Sequence, residues 1–330
     1  MNEFEFQRAE DVASAVSAVA EHPGAAFLGG GTNLVDHLKL GIAEPDLLVD
    51  VTRLPLDSIE PTDSGGVRIG ALARNSDVAA DPVIRERYPA LAEALLAGAS
   101  GQLRNLATTA GNLLQRTRCS YFQDASVPCN KREPGSGCPA IGGHERYMAI
   151  LGASADCIAT HPSDMAVAMA CLDAEVVTAG PSGERRIPAT ELHRLPAQQP
   201  QRDTVLEHGE LITAVELPAL DLARRSAYRK VRDRASYAFA LVSVAAALEV
   251  GVDGRVSDVR IVLGGVAHKP WRAERAEAAL RGEPASETAF RAAAELELEA
   301  SRSLPGNAFK PALVRNTVAA TLRGLHEATA

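Results

Sequence analysis

Phe27-Leu28-Gly29-Gly30-Gly31-Thr32-Asn33-Leu34 decides how the first part of this chain is read. Residues 25–28 form a short apolar run that suits a buried strand, and three glycines end it. Before it, within residues 10–21, Val12, Ala15, Val16 and Val19 recur at helical spacing. After it, residues 34–40 can close one or two helical turns, and 47–51 reads as a strand that stops before Pro55. Helix, strand, glycine turn, helix, strand is the order of a small α/β unit. At such a turn the main chain can come close to an anion, because glycine has no Cβ and the N–H groups of the turn converge. The spacing is neither G-x-G-x-x-G nor a P-loop ending in Lys-Ser/Thr, so a Rossmann NAD site is not supported. By itself the triple glycine also reads as a plain tight turn.

A second turn, Ala107-Thr108-Thr109-Ala110-Gly111-Asn112-Leu113, joins small residues to hydroxyl and amide groups able to bind phosphate or ribityl oxygens. It lies in a block that begins near 67–72 and continues through a helix over 82–96. Ser163 is placed to cap a helix over 165–172, strand-like 175–178 and 211–217 follow, and 194–202 reads as a loop. From about residue 224 the pattern changes to strands over 227–232, 240–250 and 258–263, then helices over 271–280, 287–301 and 311–325. That third of the chain reads as a three-stranded sheet backed by helices.

The totals narrow the function classes. With 330 residues, 46% of them hydrophobic, the chain can bury a large core in two or three domains. A formal net charge of -8 leaves no broad basic face for nucleic acid. The longest apolar candidate, 239–250, is too short to span a bilayer and carries Ser243 and Glu249, so no membrane insertion is expected. The first ten residues are acidic and polar, unlike a signal peptide, and any export would depend on a partner's signal.

Four of the five cysteines, Cys119, Cys129, Cys138 and Cys157, fall within 39 residues, in a segment rich in proline and glycine. Such a segment has little apolar material to fold it, and a bound metal centre offsets the entropy of ordering it. Disulfides are disfavoured by a cytosolic site of assembly. Zinc usually comes with closely spaced cysteine pairs, and four isolated thiolates suit the corners of a cubane; the spacing alone leaves zinc and an iron–sulfur cluster open. Arg116, Arg118, Lys131, Arg132 and Arg146 outnumber Asp124, Glu133 and Glu145 here, either as a patch favouring an anionic cluster or as a solvated loop face. Cys171 sits on the apolar face of a helix and reads as core, while His144 and His161 are ligand candidates only if a cysteine is not involved.

The two turns, taken with Ser163-Asp164, resemble the FAD subunits of the xanthine dehydrogenase and carbon monoxide dehydrogenase family. The resemblance implies an α+β chain: a two-lobed FAD-binding domain of the vanillyl-alcohol-oxidase type at 1–56 and 57–222, then a C-terminal α+β domain at 223–330. It implies that Phe27 to Leu34 hold the FAD pyrophosphate and that Ala107, Thr108, Gly111 and Asn112 contact the rest of the dinucleotide. Asp164 matches an acidic residue near the adenosine or ribose end, and Ile212 and Lys230 match positions flanking the flavin ring. Tyr237 and Phe239 either stack on the flavin or fill the core, and core is the favoured reading.

The stretches Gln115-Arg116-Thr117-Arg118-Cys119, Cys129-Asn130-Lys131-Arg132 and Cys157 to Asp164 resemble the FAD subunit of bacterial periplasmic aldehyde oxidoreductases. That resemblance implies a 4Fe-4S cluster on Cys119, Cys129, Cys138 and Cys157, carried by an insertion at about 115–162. It further implies an oxidoreductase heterotrimer. A molybdenum-cofactor large subunit turns an aldehyde into a carboxylic acid, a small subunit carries 2Fe-2S centres, and this chain passes electrons through FAD to an external acceptor. Export to the periplasm would use the small subunit's signal, with a cytoplasmic location as the alternative. The alternatives in function are the flavin subunit of 4-hydroxybenzoyl-CoA reductase or xanthine dehydrogenase, or a self-contained FAD oxidoreductase.

Overall fold

Three sheets, each with its own apolar core, organise residues 1–328, the part of the chain that the computed structural model describes. The first is parallel and three-stranded, from β1 (Glu5–Arg8), β2 (Ala25–Leu28) and β3 (Leu47–Asp50), in the order β1-β3-β2. Parallel neighbours need crossovers, and the helices Val12–Glu21 and Leu34–Leu40 supply them. Asp11 caps the first helix, its side chain accepting from Ser14 N while Ser14 Oγ accepts from Asp11 N. The buried face of that helix, Ala15, Val16 and Val19, packs with Val49 and Leu54.

The second sheet is antiparallel and contains β4 (Ile59–Pro61), β5 (Val67–Gly70), β6 (Glu175–Gly180), β7 (Gly183–Pro188) and β8 (Leu211–Leu217), in the order β4-β5-β8-β6-β7. Helices Asn75–Ala80, Pro89–Ala97 and Asp164–Cys171 share its core. The expected helix over 82–96 is instead two, Pro82–Arg87 and Pro89–Ala97. Pro89 has no N–H to donate and forces the preceding residue out of the α region, so Tyr88 takes φ -136° and ψ 53° at the break. Tyr88 is fully buried there, and its hydroxyl donates to Pro218 O at 2.7 Å.

The third sheet is also antiparallel: β9 (Ser226–Val231), β10 (Val242–Val250), β11 (Val256–Gly264) and β12 (Trp271–Arg272), in the order β12-β11-β10-β9. It has four strands rather than three, because the helix expected from residue 271 begins at Glu274. Trp271 and Arg272 stay extended, paired with Leu263 and Val262, while Trp271 Nε1 donates to Glu297 at 2.9 Å. Helices Glu274–Leu280, Glu287–Leu298 and Lys310–Glu327 back this sheet. Helix Asp164–Cys171 has all eight residues buried, which places Cys171 in the core as its position on the helix suggested. Among the described residues, no helix is long and apolar enough to cross a membrane.

Lys310 is a fully buried cation whose ammonium donates to Met148 O at 2.8 Å and Gly265 O at 2.7 Å. It thereby ties the cysteine-bearing segment to the third sheet. Burial pushes its pKa down from 10.5 to about 7. Between those two values the unfolded chain binds the extra proton, so this group makes stability rise as pH rises from about 7 towards 10. The stability of Lys310→Met relative to the parent should therefore fall across that window, read by urea unfolding at several pH values. Parallel profiles for the two proteins would contradict this.

Candidate functional site

β2 carries Phe27 and Leu28 to the end of the parallel sheet, where Val51 N donates to Leu28 O at 3.1 Å. The chain then leaves as the glycine turn. Gly31 is in the left-handed region at φ +71°, and a Cβ on Gly30 would stand 2.2 Å from Leu106 O. Gly29 faces Thr108, whose Oγ1 would lie 3.3 Å from an added Cβ. The two turns singled out in the sequence are thus packed directly on one another, although Gly29 and Thr108 are 79 positions apart. Among the described residues, no hydrogen bond takes up the backbone N–H groups of Gly30, Gly31, Thr32 or Asn33. A row of unclaimed N–H groups at a glycine turn, just before the helix Leu34–Leu40, is the chemistry that binds a pyrophosphate.

The second turn is more fully engaged with the protein. Thr109 N and Ala110 N donate to Ala73 O and Ala71 O, both at 2.9 Å, and the Thr108 hydroxyl accepts from Gly111 N at 3.3 Å. Ala107 O accepts from Asn75 N at 2.9 Å. Asn112 donates to Asn75 Oδ1 at 2.6 Å, and its own Oδ1 accepts from Ser163 Oγ and Gln115 Nε2. Its carboxamide therefore braces three segments. Gly111 is exposed beside it.

Asp164 and Lys230, to which the resemblance gives different parts of the dinucleotide, form one ion pair at 2.7 Å, with side chains 9% and 4% exposed. Tyr228 donates its hydroxyl to the other oxygen of Asp164, and Lys230 also donates to Ala97 O at 3.2 Å. Burial, then the Asp164 charge, pushes the Tyr228 hydroxyl far above its ordinary range. The two residues share one location, and both are already satisfied by the protein. Ile212 is 1% exposed on β8, in the core of the second sheet.

The cysteine segment is folded by side chains that bind main chain. Asn130 is its hub. Its N–H donates to Gly137 O, its Oδ1 accepts from Gly135 N and Gly137 N, and its Nδ2 donates to Asp156 O. These bonds close the loop between Cys129 and Cys138 and attach the neighbour of Cys157 to it. Arg132 donates to the carbonyls of Tyr121, Phe122 and Val127, which fixes the turn that follows Cys119. Cys119, Cys129, Cys138 and Cys157 consequently line a single cavity, together with Lys131 and Tyr121. All five cysteines are free thiols. Burial pushes the Cys157 thiol up to about 11 against the pull of Lys131, and raises Cys119 as well. Among the described residues, no three Cys, His, Asp or Glu side chains converge on a point as one metal ion requires.

The basic patch is not a bare positive field, since most of its cations are paired, some of them at a solvated surface. Arg116 and Lys131 pair with Asp203, Arg146 with Asp233, and Arg118 stands 4.0 Å from Asp36. Arg116 N also donates to Asn33 Oδ1 at 2.9 Å, which joins the glycine turn to the cysteine segment. His161 lies outside the cavity, its Nε2 and that of His193 both pointing at Leu113 O, and His144 is exposed. Tyr237 and Phe239, read as core, are 56% and 44% exposed in the loop between β9 and β10. Tyr237 takes a left-handed φ of +51°, and the Arg118 guanidinium covers one face of Phe239 at 5.1 Å. Asn130 and Asp203 were not singled out in the sequence. Neither belongs to a local pattern, although Asn130 directly follows Cys129.

Residues 2–220 match the family model described as the FAD binding domain in molybdopterin dehydrogenase, and residues 226–324 match the CO dehydrogenase flavoprotein C-terminal domain. The chain is 53% identical over 324 residues to the aldehyde oxidoreductase FAD-binding subunit PaoB of Escherichia coli, covering 98% of each chain. It is 27% identical to the glyceraldehyde dehydrogenase medium chain of Sulfolobus acidocaldarius, covering 83% of this chain and 80% of that one. A solved carbon monoxide dehydrogenase structure from Hydrogenophaga pseudoflava superposes with a TM-score of 0.76 at 26% identity, covering 99% of this chain and 98% of the other.

Proposed function

Since the chain belongs to the FAD-binding subunits of the molybdopterin dehydrogenase family, of the xanthine and carbon monoxide dehydrogenase kind, we propose that it is the electron-transfer subunit of an aldehyde oxidoreductase and carries FAD and a 4Fe-4S cluster. The observation that supports the cluster is the common cavity of Cys119, Cys129, Cys138 and Cys157. Zinc usually comes with closely spaced cysteine pairs, whereas four isolated thiolates around one space suit the corners of a cubane. Bound to this chain, FAD supplies one- and two-electron redox chemistry and the cubane one-electron chemistry.

The residues assign themselves to those two groups. The free N–H groups of Gly30 to Asn33 hold the pyrophosphate, with Phe27, Leu28, Gly29 and Leu34 shaping the turn. Thr108, Gly111 and Asn112 with Ala107 back it from the second turn. Lys230 on β9, paired with Asp164, and Ile212, in the core of the second sheet, flank the flavin ring, with Asp164 towards the adenosine or ribose end. The aldehyde is oxidised on a molybdenum-bearing large subunit, a small subunit carries 2Fe-2S centres, and an external acceptor is served by this chain. The complex is exported folded to the periplasm on the small subunit's signal.

Cys129→Ser tests the cluster residue by residue. Its N–H already bonds Ser136 Oγ at 3.0 Å, and the loop around it is closed by Asn130, so the fold survives the change. The variant should lose its iron–sulfur absorbance and keep its flavin. Full iron content with an unchanged spectrum removes Cys129 from the ligand set.

A further inference from the structure

One carboxylate governs the cations beside the cysteine cavity. Asp203, in the loop before β8, accepts from Arg116 Nε through Oδ2 and from Lys131 Nζ through Oδ1, each at 2.6 Å. Lys131 lines the cavity with all four cysteines, its side chain is 3% exposed, and it also donates to Pro200 O at 2.7 Å. Arg116, three residues before Cys119, is stacked over the ring of Phe122, which lines the cavity, at 4.6 Å. Two cations therefore face a single anion at the wall of the site. The Lys131 charge is buried and weakly screened, while Asp203 and Arg116, 30% and 29% exposed, are partly screened and act on the cavity chiefly through their bonds to one another and to Lys131.

We propose that Lys131 and Asp203 form an opposed pair that sets the reduction potential of the cluster held by Cys119, Cys129, Cys138 and Cys157. The inference rests on the cluster reading above. Reduction adds negative charge to the centre. Lys131 stabilises that charge and raises the potential, while Asp203 cancels much of the positive field and keeps the potential low. Burial works against the Asp203 charge, but Lys131 and Arg116 hold its carboxyl down at about 2, so the balance persists at neutral pH. The pair does not serve chiefly to close the loop, because Asn130 and Arg132 already do so through main-chain bonds.

The test is a redox titration of the full chain, following the EPR signal of the reduced cluster. Asp203→Asn keeps the shape and removes the negative charge, and should move the potential upward. Lys131→Met keeps the stem and removes the positive charge, and should move it downward. Arg116→Gln should also move it downward and stands in if Lys131→Met loses iron; Asp203→Ser, which likewise lacks the charge, stands in for Asp203→Asn, while Asp203→Glu keeps the charge and should hold the parental value. In iron-bearing variants, a shift of the Asp203 charge-removing variant with the same sign as that of Lys131→Met or its stand-in, or no shift in either, overturns the proposal, since mere loosening of the loop has no reason to split by charge. A parent chain without iron instead overturns the cluster reading itself.

Discussion

Gly30→Ala should leave the chain without bound flavin. The added Cβ would stand 2.2 Å from Leu106 O, 3.1 Å from its carbonyl carbon and 3.3 Å from Ala107 Cα, all of them backbone atoms. No side chain can turn away to relieve that contact, so the two turns must separate. Separation moves the N–H groups of Gly30 to Asn33 from the position where they converge, and it also unseats Thr108 from Gly29. A pyrophosphate site built from backbone donors tolerates little displacement, because the donors carry no flexible stem. Gly41→Ala is the matched control: that glycine also has positive φ, +65°, but meets nothing within 4 Å. It should lose about 1 kcal/mol of stability from backbone strain and keep its flavin. Flavin released per chain, measured for both variants, decides the matter, and a full complement in Gly30→Ala would refute this account of the turn.

Asp164→Ala should destabilise the chain by about 3–5 kcal/mol, the usual cost of leaving one member of a buried pair alone. Lys230 would keep its charge at a 4% exposed position with only Ala97 O as a remaining partner, and the Tyr228 hydroxyl would lose its acceptor. Asp164 is on a helix of the second sheet and Lys230 on β9 of the third, so the loss falls on the join between them. Replacing Lys230 by Met in the same chain should recover much of the loss, because the orphaned charge is then gone. Urea unfolding of the two single variants and the double variant measures the coupling. Additive losses would show that the pair does not act as a unit.

What the sequence made legible was local. The helix, strand and glycine turn over 12–34 follow from spacing within one short window, and the structure returns Val12–Glu21 and Ala25–Leu28. Ser163 was legible as a cap for the same reason, and it does accept from Ala166 N at 3.0 Å. Elements without an apolar rhythm were lost. β1 is exposed at all four positions, and β7 at all but Ile187, so neither alternates in hydrophobicity. A two-residue strand such as Trp271–Arg272 leaves no pattern, and the proline that divides 82–96 was outweighed by the apolar residues on either side.

The candidate site divides in the same way. The two turns and the four cysteines were visible because glycine, hydroxyl and thiol residues are conspicuous by type. Their supports were not. Asn130 works through main-chain bonds that any Asn could make in the right loop, and Asp203, in the loop between β7 and β8, reaches Arg116 and Lys131 across 87 and 72 positions of sequence. Tyr237 and Phe239 read as core because aromatic residues usually are, but both stand at the surface, Tyr237 with a left-handed φ.

Flavin and iron–sulfur cluster should occur together in this one chain, which is tested by the absorption and EPR spectrum of the purified chain before and after dithionite, with flavin, iron and zinc content. About one FAD and about four iron atoms are expected per chain, with a paramagnetic signal that appears on reduction. FAD without iron, and no signal from a reduced cluster, would contradict this and leave Cys119, Cys129, Cys138 and Cys157 lining a cavity with some other use.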